Sequence, residues 1–322
     1  MADTAFVTGG SGFIGGRLIQ RLRSDGWDVR ALVRSDRSAA VVRELGAEPV
    51  TGDISHVDTI RAGADGARVA FHAAANVGDW GPRSEFVRGN VLGTHNALAG
   101  SAAAGVRRFV HVGTEAALLA GEPLVNVDES APLRPDSPSL YPSTKAMAEQ
   151  AVRQANRPGE FETLVVRPRF VWGPGDTTIL PSLSEAVRSG QFRWIAGGRH
   201  RTSTTHVDNV VEGLVLGAAK GVPGAAYFVT DGEPVVFRDF VTRLLATAGL
   251  EPGDGELPVR VANAIAVGGE AAWRALPLPG RPPLTRMALW VSSQECTIDI
   301  SRARKELGYT PVKTIDDGLA EL

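Results

Sequence analysis

Residues 141–145 read YPSTK and residues 309–313 read YTPVK. Each sets a phenol and an ammonium four positions apart, the spacing that brings two side chains onto one face of a helix. The chemistry of such a pair is acid/base: a cation beside a phenol favours the phenolate and draws the tyrosine toward working pH. The two copies differ in context. Pro142 follows Tyr141 in what reads as a first helical turn, where a missing N–H is harmless, and Lys145 then lies one turn on. Pro311 stands just past the helix end at ELGY, so no helix is expected to carry Tyr309 to Lys313. That copy reads as a structural C-terminal turn. Of three tyrosines in the chain, Tyr141 is the chemical candidate.

A third group joins the pair. HVGTEA, residues 111–116, reads as a strand ending near Thr114, whose hydroxyl is expected at the C-terminal edge of a parallel sheet, where ligands of such sheets bind. Hydroxyl, phenol and ammonium together suit carbonyl/alcohol redox chemistry. Tyr141 is expected to give a proton to a carbonyl oxygen or take one from an alcohol, with Thr114 bonded to the same oxygen. A nicotinamide would carry the hydride.

The cofactor has its own signature. TGGSGFIGG lies between a strand and a helix and fits G-x-x-G-x-x-G at Gly9, Gly12 and Gly15, and G-x-G-x-x-G at Gly10, Gly12 and Gly15. Glycine permits the tight turn and close approach of phosphates, and the helix start presents N–H donors. The second strand ends ALVRSDRS. Arg34 stands at its tip where NAD-binding chains carry an acid, Arg37 follows, and Asp36 lies beyond the strand. A guanidinium matches a 2′-phosphate, so NADP is favoured over NAD.

Other residues have plainer readings. Asn90 is expected as a structural amide at a helix start, with a proton-relay role as the alternative. His72 and His111 end strands and read as packed, hydrogen-bonded histidines. His206 and Asp208 in HVDN are expected to fix a lobe junction; without a third ligand at useful spacing, no metal is expected. Trp80, Trp172, Trp273 and Trp290 are candidates for an apolar pocket, though core is the default for each. Arg199 and Arg201 read as solvated loop charges. No GxSxG places a nucleophilic serine.

These groups need elements to hold them. Short apolar runs alternate with helical patterns through the first half: a strand and turn at AFVTGG, strands at DVRALVRS, EPVTGD, ARVAFHAAA, RRFVHVGT and ETLVVRP, with helices after the glycine loop, at 38–45, near 57–63, at 90–104 and at 142–156. Continuous apolar strands separated by helices predict an α/β, Rossmann-type doubly wound parallel sheet. Past residue 170 proline and glycine become frequent, which predicts a smaller, irregular C-terminal substrate lobe. The expected division is a dinucleotide-binding domain at 1–170, joined by 203–230, and a lobe at 171–202 and 231–322.

Composition bounds the rest. With 322 residues, 43% hydrophobic, and a net charge of −2, the chain is globular and has no bulk attraction to nucleic acid. One cysteine, Cys296, excludes an intramolecular disulfide and a cysteine-cluster metal site. No secretory signal is evident, and a cytoplasmic protein is expected. Residues 259–276, interrupted by Arg260, Asn263, Glu270 and Arg274, read as an amphipathic helix and not a span. Membrane contact along one face is the lesser reading of it.

TGGSGFIG, GDI at 52–54, HAAA at 72–75, NVLGT at 90–94, HVGTEA, YPSTK, RPRFVWGPGD at 167–176 and HVDN at 206–209 together resemble the extended short-chain dehydrogenase/reductases, over essentially the whole chain. The later run, with GQFRWIAGG, YFVTDGEPVVFRDF, PPLTR and ARKELGYTP, is most similar to the 3β-hydroxysteroid dehydrogenase branch, which includes sterol-carboxylate 3-dehydrogenases and 2-alkyl-3-ketoalkanoate reductases. The resemblance implies that Gly9, Gly12, Phe13 and Ile14 line the pyrophosphate turn, that Asp53 and Ile54 meet the adenine, and that Ala73, Ala74 and Ala75 run beside the cofactor. It implies Tyr141 and Lys145 as catalytic, Lys145 also holding the nicotinamide ribose, and Pro168 near the nicotinamide. Thr114 stands where many relatives have serine, and Arg34 replaces the acid common in NAD users. The implied activity is NAD(P)-dependent interconversion of a secondary alcohol and a ketone on a bulky apolar molecule, sterol-like or a 2-alkyl-3-keto acid, by a homodimer. Two readings compete with it. A sugar-nucleotide epimerase or dehydratase shares the loop and the Tyr/Lys pair but calls for polar and basic residues in the later lobe. A non-enzymatic dinucleotide sensor would be free to lose Tyr141 or Lys145, and both are present.

Overall fold

The computed structural model describes residues 2–276 and 278–322. Seven strands form one parallel sheet: β1 (Thr4–Thr8), β2 (Asp28–Val33), β3 (Glu48–Thr51), β4 (Val69–His72), β5 (Arg108–Val112), β7 (Glu162–Pro168) and β12 (Ala226–Val229). Their order is β12-β7-β5-β4-β1-β2-β3. The chain steps outward from β1 to β3, then returns to β4 on the other side of β1 and continues to β12. The C-terminal ends of β1 and β4 therefore flank the point where strand order reverses, the place where such sheets bind ligands.

Strand composition follows from burial on both faces. All four residues of β4 and residues 109–112 of β5 are buried, which is why these strands read as unbroken apolar runs. On one face Leu18, Ile19 and Leu22 of the helix Phe13–Ser24 pack with Val210, Val211 and Leu214 of the helix Val207–Lys220. On the other, Ile60, Ala97, Leu98 and Val152 represent the helices Val57–Ala64, Gly93–Ala103 and Leu140–Gln154. The sheet is thus doubly wound, as the alternating pattern predicts.

The remaining strands are short: β6 (Leu124–Val127), β8 (Val171–Trp172), β9 (Trp194–Ile195), β10 (Arg201–Thr202), β11 (Thr205–His206), β13 (Val235–Val236), β14 (Glu256–Leu257) and β15 (Cys296–Ile298). A second sheet runs β13-β10-β15-β6, and β11-β8 and β14-β9 form two-stranded pieces. β6 lies among the first 170 residues yet pairs with β15.

The segment expected as a helix over 90–104 begins with a π-helical turn, Val87–Leu92, before the α-helix Gly93–Ala103. The amphipathic segment is a helix, Val259–Ala275. Among the described residues no helix is long and apolar enough to cross a membrane. In YTPVK no helix links the two ends. Gly308 ends the preceding turn in the left-handed region, and Tyr309 is buried with its hydroxyl donating to Thr230 O at 2.9 Å.

Candidate active site

The helix Leu140–Gln154 starts at Ser139, with Pro142 in its first turn. Local bonds brace that turn: Ser143 Oγ donates to Pro135 O at 2.7 Å and Thr144 Oγ1 to Leu140 O at 2.7 Å. Tyr141 is half-buried and packs into an apolar cluster with Leu119, Ala262, Ala266, Leu284 and Trp290. The helices Val259–Ala275 and Arg286–Ser293 contribute Ala262, Ala266, Leu289 and Trp290 to that cluster.

Lys145, one turn on, is buried. Its ammonium donates to Val112 O at 2.8 Å and meets His111 Nε2 at 3.3 Å. Burial pulls its pKa down to about 8, opposed by the carboxylate of Glu149 on the next turn. Glu149 is bound by Arg167 of β7, Nε to Oε2 at 2.9 Å, and both side chains are sealed from solvent. The expected lowering of the phenol's pKa toward working pH is corrected here. The pKa of Tyr141 is raised, by burial first and by the charge of Glu115 second, with the Thr114 hydroxyl pulling the other way. Lys145 is anchored on the end of β5, its ammonium held by the strand's last carbonyl.

Thr114 sits at the exit of β5 in extended conformation and caps the short turn Glu115–Leu118, its oxygen accepting from Ala116 N at 3.1 Å. Its hydroxyl donates to Glu115 Oε2 at 2.8 Å. This carboxylate competes for the one hydrogen that Thr114 is expected to give a substrate oxygen. Glu115 in turn pairs with Arg169 at 2.5 Å, and Arg169 donates to Thr202 Oγ1 of β10 at 3.1 Å. Both members of this pair are buried. Sequence reasoning passed over Glu115. The only local signal was an acid directly after the strand-end threonine; its cation lies 54 residues away.

The dinucleotide elements assemble at the reversal point. Gly9 has φ +76, and a Cβ there would stand 2.6 Å from Ala74 N; one on Gly15 would overlap Gly9 O. Gly12 caps the helix Phe13–Ser24 with no side-chain acceptor, which leaves the first-turn N–H groups of Phe13 and Ile14 for an anion. Ala73, Ala74 and Ala75 leave β4 beside this turn, Ala73 N donating to Thr8 O at 3.1 Å and Ala74 N to Thr8 Oγ1 at 3.4 Å. Pro168 ends β7, opposite Val229 of β12. Asp53 and Ile54 follow β3. The Asp53 carboxylate accepts from Ser55 N at 2.8 Å and from Ser55 Oγ at 2.6 Å, which with the charge of Arg34 lowers its pKa. Ile54 O accepts from Asn96 Nδ2 at 3.0 Å. Arg34, just past β2, is 77% exposed and 4.0 Å from Asp53. The groups present fit a dinucleotide: a turn a Cβ would fill, unpaired helix-start donors, and a largely free guanidinium beyond β2.

Asn90 is buried in the π-helical turn, accepting from Asn76 N at 2.7 Å and donating to Asn76 O at 3.1 Å and to Thr144 Oγ1 at 3.0 Å. His72 is bonded to Thr8 and Thr94, and burial lowers its pKa to about 3. His111 is held neutral by burial and by Lys145. Asp208 grips Arg17 of the helix Phe13–Ser24 with both oxygens. The fold does bring Glu321 to His206 and Asp208, a third group invisible in the spacing. Asp208 is taken by Arg17, Glu321 by Lys313, and His206 Nδ1 accepts from Asp208 N. Trp290 joins the Tyr141 cluster, Trp172 is core, and Trp80 and Trp273 are half-buried. Arg199 pairs with Glu256 on the surface, and Arg201 bonds Pro234 O.

The description "3-beta hydroxysteroid dehydrogenase/isomerase family" is that of the family model matching residues 6–259. The chain is 49% identical over 317 residues, 98% of it and 95% of the relative, to a 4-hydroxy-2-methyl-3-oxo-4-farnesyl-3,4-dihydroquinoline-1-oxide ketoreductase of Stigmatella aurantiaca. It is 34% identical over 328 residues, 98% of it and 97% of the relative, to a 2-alkyl-3-oxoalkanoate reductase of Stenotrophomonas maltophilia (strain K279a). Among solved structures it is similar to gox2253, with TM-score 0.79 and 29% identity, covering 99% of this chain and 97% of that one.

Proposed function

This chain belongs to the 3-beta hydroxysteroid dehydrogenase/isomerase family and is an NAD(P)-dependent oxidoreductase of alcohols and ketones, and we propose that it reduces a ketone on a bulky apolar molecule with Tyr141 as the acid. One observation carries the reading. Tyr141 packs against an apolar cluster that includes Leu119, Ala262, Ala266 and Trp290, and Leu284 packs against the same cluster. Such a lining favours a sterol-like ring system, a prenylated ring or an alkyl-branched keto acid over a sugar diphosphate. The two relatives described above, a ketoreductase of a farnesylated dihydroquinoline oxide and a 2-alkyl-3-oxoalkanoate reductase, support that class.

The residues divide the work. A nicotinamide held here would supply the hydride. Tyr141 hands its proton to the carbonyl oxygen. Lys145, fixed by Val112 O, keeps a positive charge beneath the site that offsets the phenolate left behind. Gly9, Gly12, Phe13, Ile14 and Gly15 seat the pyrophosphate, and Pro168 borders the nicotinamide. Asp53 and Ile54 border the adenine, and Arg34 takes a 2′-phosphate, so that NADP is preferred.

A panel assay following the nicotinamide absorbance tests this with bulky ketones, 2-alkyl-3-keto acids, 3β-hydroxysteroids and UDP-sugars. Turnover of the apolar ketones is expected, with Tyr141→Phe slower by about 10²–10⁴-fold. Equal turnover by both proteins removes the acid role, and turnover of UDP-sugars alone replaces the substrate class. For the cofactor, Arg34→Ala is expected to weaken NADP binding by about tenfold or more, with NAD binding changed little. Unchanged NADP binding removes Arg34 from the site.

A further inference from the structure

The helix Val259–Ala275 is apolar on two opposite sides. Ala262 and Ala266 turn inward to the cluster that Tyr141 packs against, and Glu270 is buried with them. The other side carries Val261, Ala264, Ile265, Gly268, Ala271 and Ala275, recurring at three- and four-residue steps, and all are exposed. That stripe runs about four turns without a polar side chain. Val261 is 47% exposed, and Leu276, just past the helix, is 55% exposed. The inner face alone holds the helix to the fold, so folding gives no reason for the outer one. Contiguous apolar surface of this kind marks a contact.

Charge decides what it contacts. Between Pro258 and Arg286 stand four arginines, Arg260, Arg274, Arg281 and Arg286, and one acid, the buried Glu270. Arg260, Arg274 and Arg281 are exposed. Asp254 and Glu256, just before the helix, are already paired with Arg238. An apolar stripe edged by cations, with no exposed acid on the segment, matches an anionic bilayer: the aliphatic side chains enter the acyl boundary and the guanidinium groups meet phosphates. A second copy of the chain would bring the same cations against one another. We propose that this face lies on an anionic membrane surface, and that the ketone passes from the bilayer to the Tyr141 cluster on the inner face of the same helix. No described helix is long and apolar enough to span, so the contact runs along the surface. The passage of substrate rests on the ketone being bulky and apolar; the contact itself does not.

Co-sedimentation of the full chain with vesicles tests the contact. At low salt the wild type is expected to pellet with vesicles of phosphatidylcholine and phosphatidylglycerol. Val261→Asp/Ile265→Asp, at two exposed positions, should bind at least about tenfold more weakly. Vesicles of phosphatidylcholine alone, or high salt, should weaken wild-type binding by a similar factor. Equal melting temperatures and NADP affinities show that both proteins are folded. With a bulky ketone dissolved in the mixed vesicles, the wild type should turn over faster than the double variant. Wild type left in the supernatant, or a double variant that pellets as well as the wild type, overturns the contact. So does a dimer in vesicle-free solution that the same substitutions break, because a second copy then covers the face. Equal rates on the vesicle-borne ketone overturn the passage of substrate. Sedimentation needs no substrate, so turnover of UDP-sugars alone would sink the proposed substrate class and leave the binding result standing.

Discussion

Lys145 is the residue where activity and stability pull apart. Burial brings its pKa from 10.5 to about 8. Between those values the unfolded chain holds a proton that the folded chain lacks, so this group makes folding more favourable as pH rises through that window. Under the proposed mechanism activity has the opposite sign, because the ammonium proposed to offset the phenolate is lost above about 8. Ketone reduction is therefore expected to decline above pH 8 or so. Lys145→Arg, which stays charged, should carry that limb to higher pH even if its absolute rate is lower; a limb left in place assigns it to another group. The buried histidines give the acid side. His72 sits near 3 against 6.5 unfolded, so stability is expected to fall below pH 6.5 by about 1.4 kcal/mol per unit from this residue alone. His72→Gln can retain hydrogen bonds to Thr8 and Thr94 without titrating. Thermal unfolding between pH 6.5 and 4.5 should show a shallower slope for the variant, and equal slopes would discard the account.

Among the elements, the glycine turn and the start of the helix Leu140–Gln154 were legible because their logic is local. A strand, three spaced glycines and a helix follow one another within the first 24 residues, and a proline in the first turn after Tyr141 is enough to predict where that helix begins. Gly9→Ala should be costly on both counts that made the turn readable. It forces a left-handed φ on a side-chain-bearing residue and drives a Cβ into Ala74 N. The expected loss is about 1–3 kcal/mol of stability together with most of the dinucleotide affinity, checked by denaturant melts and cofactor titration. The π-helical turn Val87–Leu92 was not legible. The sequence pattern starts a helix at Asn90, and the turn widens where that side chain bonds Asn76 and Thr144, the latter 54 residues later. Glu115 and Arg169, and Glu149 and Arg167, escaped for the same reason. A charged residue in a sequence reads as surface until its partner is brought to it by the fold.

At the scale of the whole molecule the question is what joins the parallel sheet to the strands built after it. The alternation of apolar runs and helical patterns anticipated the sheet, since six of its seven strands come before residue 170. The joint was only half visible: HVDN was expected to fix it, but its acceptor was not identified. That acceptor is Asp231, just past β12. Its Oδ1 takes His206 N at 2.5 Å and Asn209 Nδ2 at 2.7 Å; its Oδ2 takes Trp172 Nε1 at 2.8 Å and Thr204 Oγ1 at 2.8 Å. Asn209 then reaches the C-terminal segment, accepting from Val312 N at 2.7 Å and donating to Lys313 O at 2.8 Å. One carboxylate thus gathers β8, β11, the helix Val207–Lys220 and, through Asn209, the tail that contains the second tyrosine–lysine pair. Removing it strands four donors, several of them in buried residues, at about 1–3 kcal/mol for each that finds no water. Asp231→Ala is therefore expected to destabilise the chain by several kcal/mol, far more than loss of a surface pair such as Arg199 with Glu256, worth about 0–1 kcal/mol. Asp231→Asn, which retains only one acceptor oxygen, should fall between. Chemical denaturation of the three variants gives the order, and an Asp231→Ala protein as stable as Glu256→Ala would show that the joint is carried by packing of Trp172 and Phe240 instead.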